Sequence, residues 1–132
     1  MENNKGTILI ADDKQITREM LTGLLEAGSF NCLIEEYKSG NALEEKLKRE
    51  LANSDNVRLL ITDKDMPPGP TGSELIQMYA PLVKFPIILH YGGNRSIGEK
   101  AVKDGAFDYL IKSLYGFNQF IELVGKALKN SK

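Results

Sequence analysis

Residues 59–72 read LLITDKDMPPGPTG. An apolar run passes without a break into Asp63, Lys64 and Asp65, and then into a loop with three prolines. A short apolar run bounded by turn residues reads as a buried strand. The strand therefore ends in two carboxylates set in front of a stiff turn, and in a parallel sheet that end is where ligands gather.

Working outward, similar runs recur along the chain: TILIA (7–11), CLIEEY (32–37), VRLLIT (57–62), PIILHY (86–91) and DYLI (108–111). Helical periodicity fills the intervals. Ile16, Met20 and Leu24 recur every four residues, and Gly28 is expected to end that helix as its C′ residue. Leu43, Leu47 and Leu51 mark a second helix, with Asn41 and Glu44 at the spacing of a capping pair. Thr71 with Glu74, and Ser96 with Glu99, repeat that spacing before a third and a fourth. Phe117, Phe120, Ile121, Val124 and Leu128 draw the stripe of a last helix. Met66 and Met78 read as core fillers, and EEKLKRE (44–50) as a solvated helix face. Regular alternation predicts an α/β fold with helices on both faces of a parallel sheet and right-handed crossovers. The expected architecture is flavodoxin-like and doubly wound, with five strands in the order 2-1-3-4-5.

Composition bounds the function classes. The 132 residues are 42% hydrophobic and 27% charged, which fits one globular domain spanning 1–132, with no output domain expected in this chain. A net charge of -1 argues against a nucleic-acid partner. The single cysteine, Cys32, suits a reducing compartment. The opening MENNKGT is polar, so no signal peptide is expected, and no run approaches the roughly 20 apolar residues of a membrane span. A cytoplasmic protein away from membranes is the expectation.

The first strand ends in Asp12 and Asp13, the third in Asp63. In the 2-1-3-4-5 order these strands are neighbours, and three carboxylates converge. Each aspartate alone reads as a turn former or helix N-cap. Together, like charges that close resist ionisation unless neutralised, and Mg²⁺, which prefers a few carboxylates plus water and phosphate oxygens, does so. The turn ILIADDKQI places acids where a dinucleotide fold or P-loop needs glycines, which argues against nucleotide binding. Lys112 directly follows DYLI, at the same rim, and is placed to pair with Asp63.

ILIADDK, LLITDKDMP…TG and GAFDYLIK resemble, in order and spacing across essentially the whole chain, the three signature blocks of bacterial response-regulator receiver domains. The resemblance implies that Asp63 accepts a phosphoryl group, that Asp12 and Asp13 hold Mg²⁺, and that Asp65 offers the metal a backbone carbonyl. It further implies that Lys112 is the site lysine and Tyr109 the aromatic switch residue. The phosphoryl donor implied is a histidine kinase or phosphotransfer protein, and signalling would then pass by contact to a downstream protein.

This chain departs from the family pattern at three places. The loop from Asp63 to Gly72 is one residue longer, with Thr71 where an acid is common. The fourth strand reads PIILHYGGN, where the family ends in Ser or Thr: counting from Pro86 gives Tyr91 at that position, and counting back from Lys112 gives His90. Ser113 follows Lys112 in place of a proline. The expectation is intact phosphorylation chemistry with an altered switch. Two rivals stand beside it: a pseudo-receiver acting by protein contact alone, and a phosphatase. The D-x-D of DKDMP resembles the nucleophile motif of haloacid-dehalogenase enzymes, but it follows the third strand rather than the first.

Overall fold

The computed structural model describes residues 6–53 and 56–130. Residues 1–5, on which the reading of the N-terminal stretch partly rests, lie outside the described residues, as do 54–55 and 131–132. Strands and helices alternate as β1 (Thr7–Ala11), α1 (Gln15–Ala27), β2 (Leu33–Tyr37), α2 (Gly40–Ala52), β3 (Val57–Thr62), α3 (Gly72–Tyr79), β4 (Ile87–Tyr91), α4 (Arg95–Lys103), β5 (Asp108–Ile111) and α5 (Phe117–Lys129). The strands form one parallel sheet in the order β2-β1-β3-β4-β5, as the alternation predicts.

The interior strands β1, β3 and β4 are apolar almost without interruption because both of their faces are covered. Ile8, Ile10, Leu59, Ile61, Ile88 and Leu110 pack on one side with Leu21 and Leu25 of α1 and Phe120 and Val124 of α5. Leu9, Ala11, Leu60, Leu89 and Tyr91 pack on the other side with Leu43 and Leu47 of α2, Leu75 and Ile76 of α3, and Ala101 of α4. Burying most of these side chains contributes about 1.5–3 kcal/mol each before the entropy of ordering is counted.

Several local expectations are corrected. In α1 the buried ridge is Leu21 and Leu25, while Ile16 is 73% exposed and Met20 45% exposed. Two apolar stripes compete on that helix, and the sheet takes the leucine pair. Gly28 closes α1 in a right-handed conformation, and Ser29 carries the positive φ of 62°. Glycine at 28 leaves room for the Ile121 and Phe30 side chains, which would have to shift to admit a Cβ there. The N-cap of α2 is Ser39, whose hydroxyl accepts from the Ala42 amide at 3.1 Å, not Asn41. Leu51 and Met78 are exposed, because the last turn of α2 and the outer side of α3 face away from the core. Within 44–50, Lys46 and Glu50 are buried as an i,i+4 ion pair at 3.2 Å, so that face is only partly solvated. The Thr71–Glu74 capping box forms as expected.

Candidate functional site

The rim of the sheet is held by ladder bonds that run past the strand ends. The Asp12 amide donates to the Tyr37 carbonyl at 3.0 Å, the Asp63 amide to the Ala11 carbonyl at 2.8 Å, and the Lys112 amide to the Tyr91 carbonyl at 2.7 Å. Each charged residue thus stands on backbone that its neighbouring strand fixes. Asp63 is further enclosed by α3, where a Cβ on Gly72 would collide with the Asp63 carbonyl oxygen. The Gly72 amide donates to the Lys64 carbonyl at 2.7 Å, and the Gly40 and Asn41 amides donate to the Met66 and Pro68 carbonyls at 2.7 and 3.0 Å. Buried Met66 and these bonds pin the proline loop against the start of α2.

Carboxylate oxygens of Asp12, Asp13 and Asp63 lie within 4.8 Å of one another. Asp12 and Asp63 are buried and Asp13 is exposed. The Lys112 ammonium donates to Asp12 Oδ2 at 3.1 Å and to Asp63 Oδ1 at 3.3 Å, so it bridges both acids. The Asp63 pairing was expected from sequence; the Asp12 pairing was not. Asp12 Oδ1 accepts from the Lys14 amide at 2.9 Å, and Asp63 Oδ1 from the Lys64 amide at 2.7 Å.

Burial, then the Asp12 carboxylate, raise the Asp63 pKa above its ordinary value, against the pull of Lys112 and the Lys64 amide. For Lys112, burial acts to lower the pKa, but the Asp63 and Asp12 carboxylates outweigh it and leave it raised. Three clustered acids share one lysine, which is a surplus of negative charge. The donors are all hard oxygens, and that chemistry fits a divalent cation of the Mg²⁺ kind.

A family model for the response regulator receiver domain matches residues 8–124. The chain belongs to the response-regulator receiver family. Its fold is that of a response regulator receiver domain protein from Clostridium thermocellum, with 22% identity over 94% of each chain and a TM-score of 0.76. A CheY-like receiver domain protein from Methanospirillum hungatei JF-1 is similar at 19% identity over 94% of each chain, TM-score 0.75. The beryllofluoride-activated NtrC4 receiver domain dimer is similar at 22% identity, covering 93% of this chain and 96% of that one, TM-score 0.75. No curated protein matches the chain.

Within this receiver, the remaining candidate residues fall in different places. The Asp65 carboxylate lies outside the acidic cluster, 64% exposed and 3.2 Å from the Lys64 ammonium. Tyr109 is half-buried with its ring against Gly98 of α4 and 6.2 Å from the Tyr91 ring. His90 and Tyr91, the two candidates at the end of β4, point to opposite faces. Tyr91 packs on the α4 side, where its hydroxyl donates to the Asn94 carbonyl and accepts from the Gly98 amide at 2.9 Å. His90 follows Ile88 on the α5 side, with Nε2 2.8 Å from the Tyr115 hydroxyl. Ser113, where the family pattern has a proline, takes a positive φ of 69°, and Gly116 is the N-cap of α5.

Two residues were missed from sequence. Arg18 Nη1 donates to the Asp12 carbonyl at 2.8 Å while its Nε pairs with Glu36 at 2.8 Å, bracing the first turn. Tyr115 partners His90. No pattern in the sequence marks either, because both act through contacts between distant segments.

Proposed function

We propose that this receiver takes a phosphoryl group onto Asp63 from a phosphohistidine of a histidine kinase or phosphotransfer protein, with Mg²⁺ bound, and signals by contact with a downstream protein. The observation that carries this reading is the Lys112 bridge between Asp12 and Asp63 inside a cluster of three acids. In the transfer, an Asp63 oxygen attacks phosphorus as the P–N bond of the donor breaks, and the electron pair leaves with the donor imidazole. Such a transition state asks mainly for positioning and charge neutralisation. Asp63 is the nucleophile, held by its ladder bond and the Lys64 amide. Lys112 is positioned to leave Asp63 for a phosphoryl oxygen as the charge moves outward.

Asp12, Asp13 and Asp63 would hold Mg²⁺, with the Asp65 carbonyl as a further oxygen; when bound, the ion supplies charge neutralisation for the phosphoryl oxygens. The same site, admitting water, hydrolyses the aspartyl phosphate and resets the protein. Tyr109 is assigned to the switch by family position and by its packing on α4. A chain with one cysteine, and no helix among the described residues long and apolar enough to cross a membrane, suits work in the cytoplasm.

Intact mass after incubation with Mg²⁺ and acetyl phosphate is the test. One phosphate adduct on the wild type and none on Asp63→Asn is expected. No adduct, together with no Mg²⁺ binding at millimolar metal, would leave the contact-only pseudo-receiver as the better reading.

A further inference from the structure

Four strand residues that pack toward α1 and α5 each lead, two positions on, to a polar residue at the rim: Ile10 to Asp12, Ile61 to Asp63, Ile88 to His90 and Leu110 to Lys112. Side chains alternate across a strand, so the two acids, the histidine and the lysine share one face at the carboxyl edge of the sheet. Leu89 pairs with Thr62, and one step further along each strand brings His90 level with Asp63. The Lys112 charge acts on the His90 ring.

His90 is 1% exposed. Its ring meets Tyr115 edge-on, with centroids 5.6 Å apart, and Nε2 bonds the Tyr115 hydroxyl. Nδ1 is enclosed and has no hydrogen-bond partner among the described residues. A buried polar nitrogen without a partner costs stability, and this one belongs to a residue level with Asp63 across the β3–β4 ladder. Burial and the neighbouring ammonium keep the ring neutral, so it carries a single N–H. When the Tyr115 proton goes to Nε2, the imidazole proton goes to Nδ1.

We propose that His90 is a further contact for the phosphoryl group on Asp63, donating its Nδ1–H to a phosphoryl oxygen while Tyr115 fixes the tautomer from Nε2. The proposal rests on Asp63 being the phospho-acceptor. His90 is a hydrogen-bond donor here and is not itself phosphorylated. Unlike a short hydroxyl, it has a second nitrogen committed elsewhere. Tyr115 stacks on Phe120 of α5, with rings 6.0 Å apart and 24° from parallel. A change at Nδ1 therefore has a direct route to α5.

The chain has one histidine, so the ring nitrogens of a histidine-labelled sample give one set of NMR signals. The probe is Mg²⁺ with beryllofluoride, an unreactive stand-in for a phosphoryl group, and fluorine NMR reports whether the adduct forms on Asp63. The expected result is a neutral Nδ1–H tautomer before addition, with a marked shift of the Nδ1 signals and slower proton exchange once the adduct forms. Adduct formation with the Nδ1 signals unmoved overturns the His90 proposal and leaves the acceptor reading standing. Absence of any adduct overturns both.

Variants supply a second arm. His90→Leu should shorten the lifetime of the adduct about tenfold, the effect of losing one hydrogen bond to a charged group. His90→Asn, whose amide N–H falls near the Nδ1 position, should restore most of it. Equal lifetimes for His90→Leu and His90→Asn would sink the donor role. Tyr115→Phe keeps the ring stack and should show mixed tautomers with unchanged Mg²⁺ affinity.

Discussion

At Asp63, burial and the Asp12 carboxylate raise the pKa above 3.8 even though Lys112 sits 3.3 Å away. Ionisation is therefore harder in the folded chain than in the unfolded one. The ionised carboxylate costs stability at neutral pH, and that cost fades as pH falls through the folded pKa towards 3.8 and below. Asp63→Asn should accordingly melt higher than the wild type at neutral pH in the absence of metal. A gain of a few degrees is the scale that about 1 kcal/mol produces in a chain this size. The gain should shrink in acid. Mg²⁺ should raise the wild-type Tm and move the variant little, because metal binds the folded carboxylates and not their amide replacement. A variant that melts lower at neutral pH without metal would contradict the sign.

His90 titrates in the opposite sense. Burial, then Lys112, lower its pKa from 6.5 to about 4. The unfolded chain takes up the proton first, so stability is whole above pH 6.5 and falls as pH drops toward 4, by roughly 3 kcal/mol at the low end. Chemical denaturation of wild type against His90→Asn isolates this contribution. The difference between them should change steeply over that window, and an identical pH slope in both chains would count against a buried neutral imidazole.

Among the elements, β1, β3 and β5 begin and end where the apolar runs do, and β2 and β4 start one residue later. The interior strands are covered on both sides, and a continuous apolar run has few other readings. Helix faces and caps were harder to read because they depend on partners outside the helix. Ile16, Met20 and Leu24 form as regular a stripe as Leu21 and Leu25, and only the sheet decides between them. Ser96 and Glu99 have the spacing of a capping box, yet Asn94 is the N-cap of α4, without a side-chain cap of its own. The Gly98 amide stands four residues after that cap, where the Asn94 carbonyl would be its helical partner; the Tyr91 hydroxyl from the neighbouring strand lies between the two, accepting from Gly98 and donating to Asn94. The acidic site was legible because strand ends in a parallel sheet have a known place. The β4 position was not, because a one-residue change of count moves a side chain to the opposite face. Tyr91→Phe tests the cap directly. It leaves the Gly98 amide without its partner inside the protein, a loss of about 1–3 kcal/mol. Amide exchange at Gly98 and Glu99 should quicken while β4 itself stays protected. Unchanged exchange there would show that the hydroxyl is dispensable to α4.

Across the whole molecule, the two residues ending β4 tie the site to two different helices. Tyr91 fastens the start of α4 through two hydrogen bonds from a fully buried side chain, and the Tyr109 ring already lies against Gly98. Moving α4 would break both bonds, and the one to the Gly98 amide is buried, which makes the α4 face stiff. On the other side, Tyr115 stands in the loop between β5 and α5, a half-buried ring held by His90 and by stacking on Phe120. A segment with fewer buried bonds yields first when a neighbour changes. On the proposed reading, loading Asp63 would draw Lys112 and His90 toward new oxygens, and His90 has a side-chain route to α5 through Tyr115 and Phe120. The response should therefore travel to the loop after Lys112 and the first turn of α5, leaving α4 in place. Hydrogen exchange with and without Mg²⁺ and beryllofluoride reads this out segment by segment. Altered protection over residues 113–121 with α4 unchanged is the expected pattern, and Tyr115→Phe should reduce it without preventing the adduct. A large change in α4, with the β5–α5 loop silent, would mean that the signal leaves through Tyr91 and Tyr109 instead.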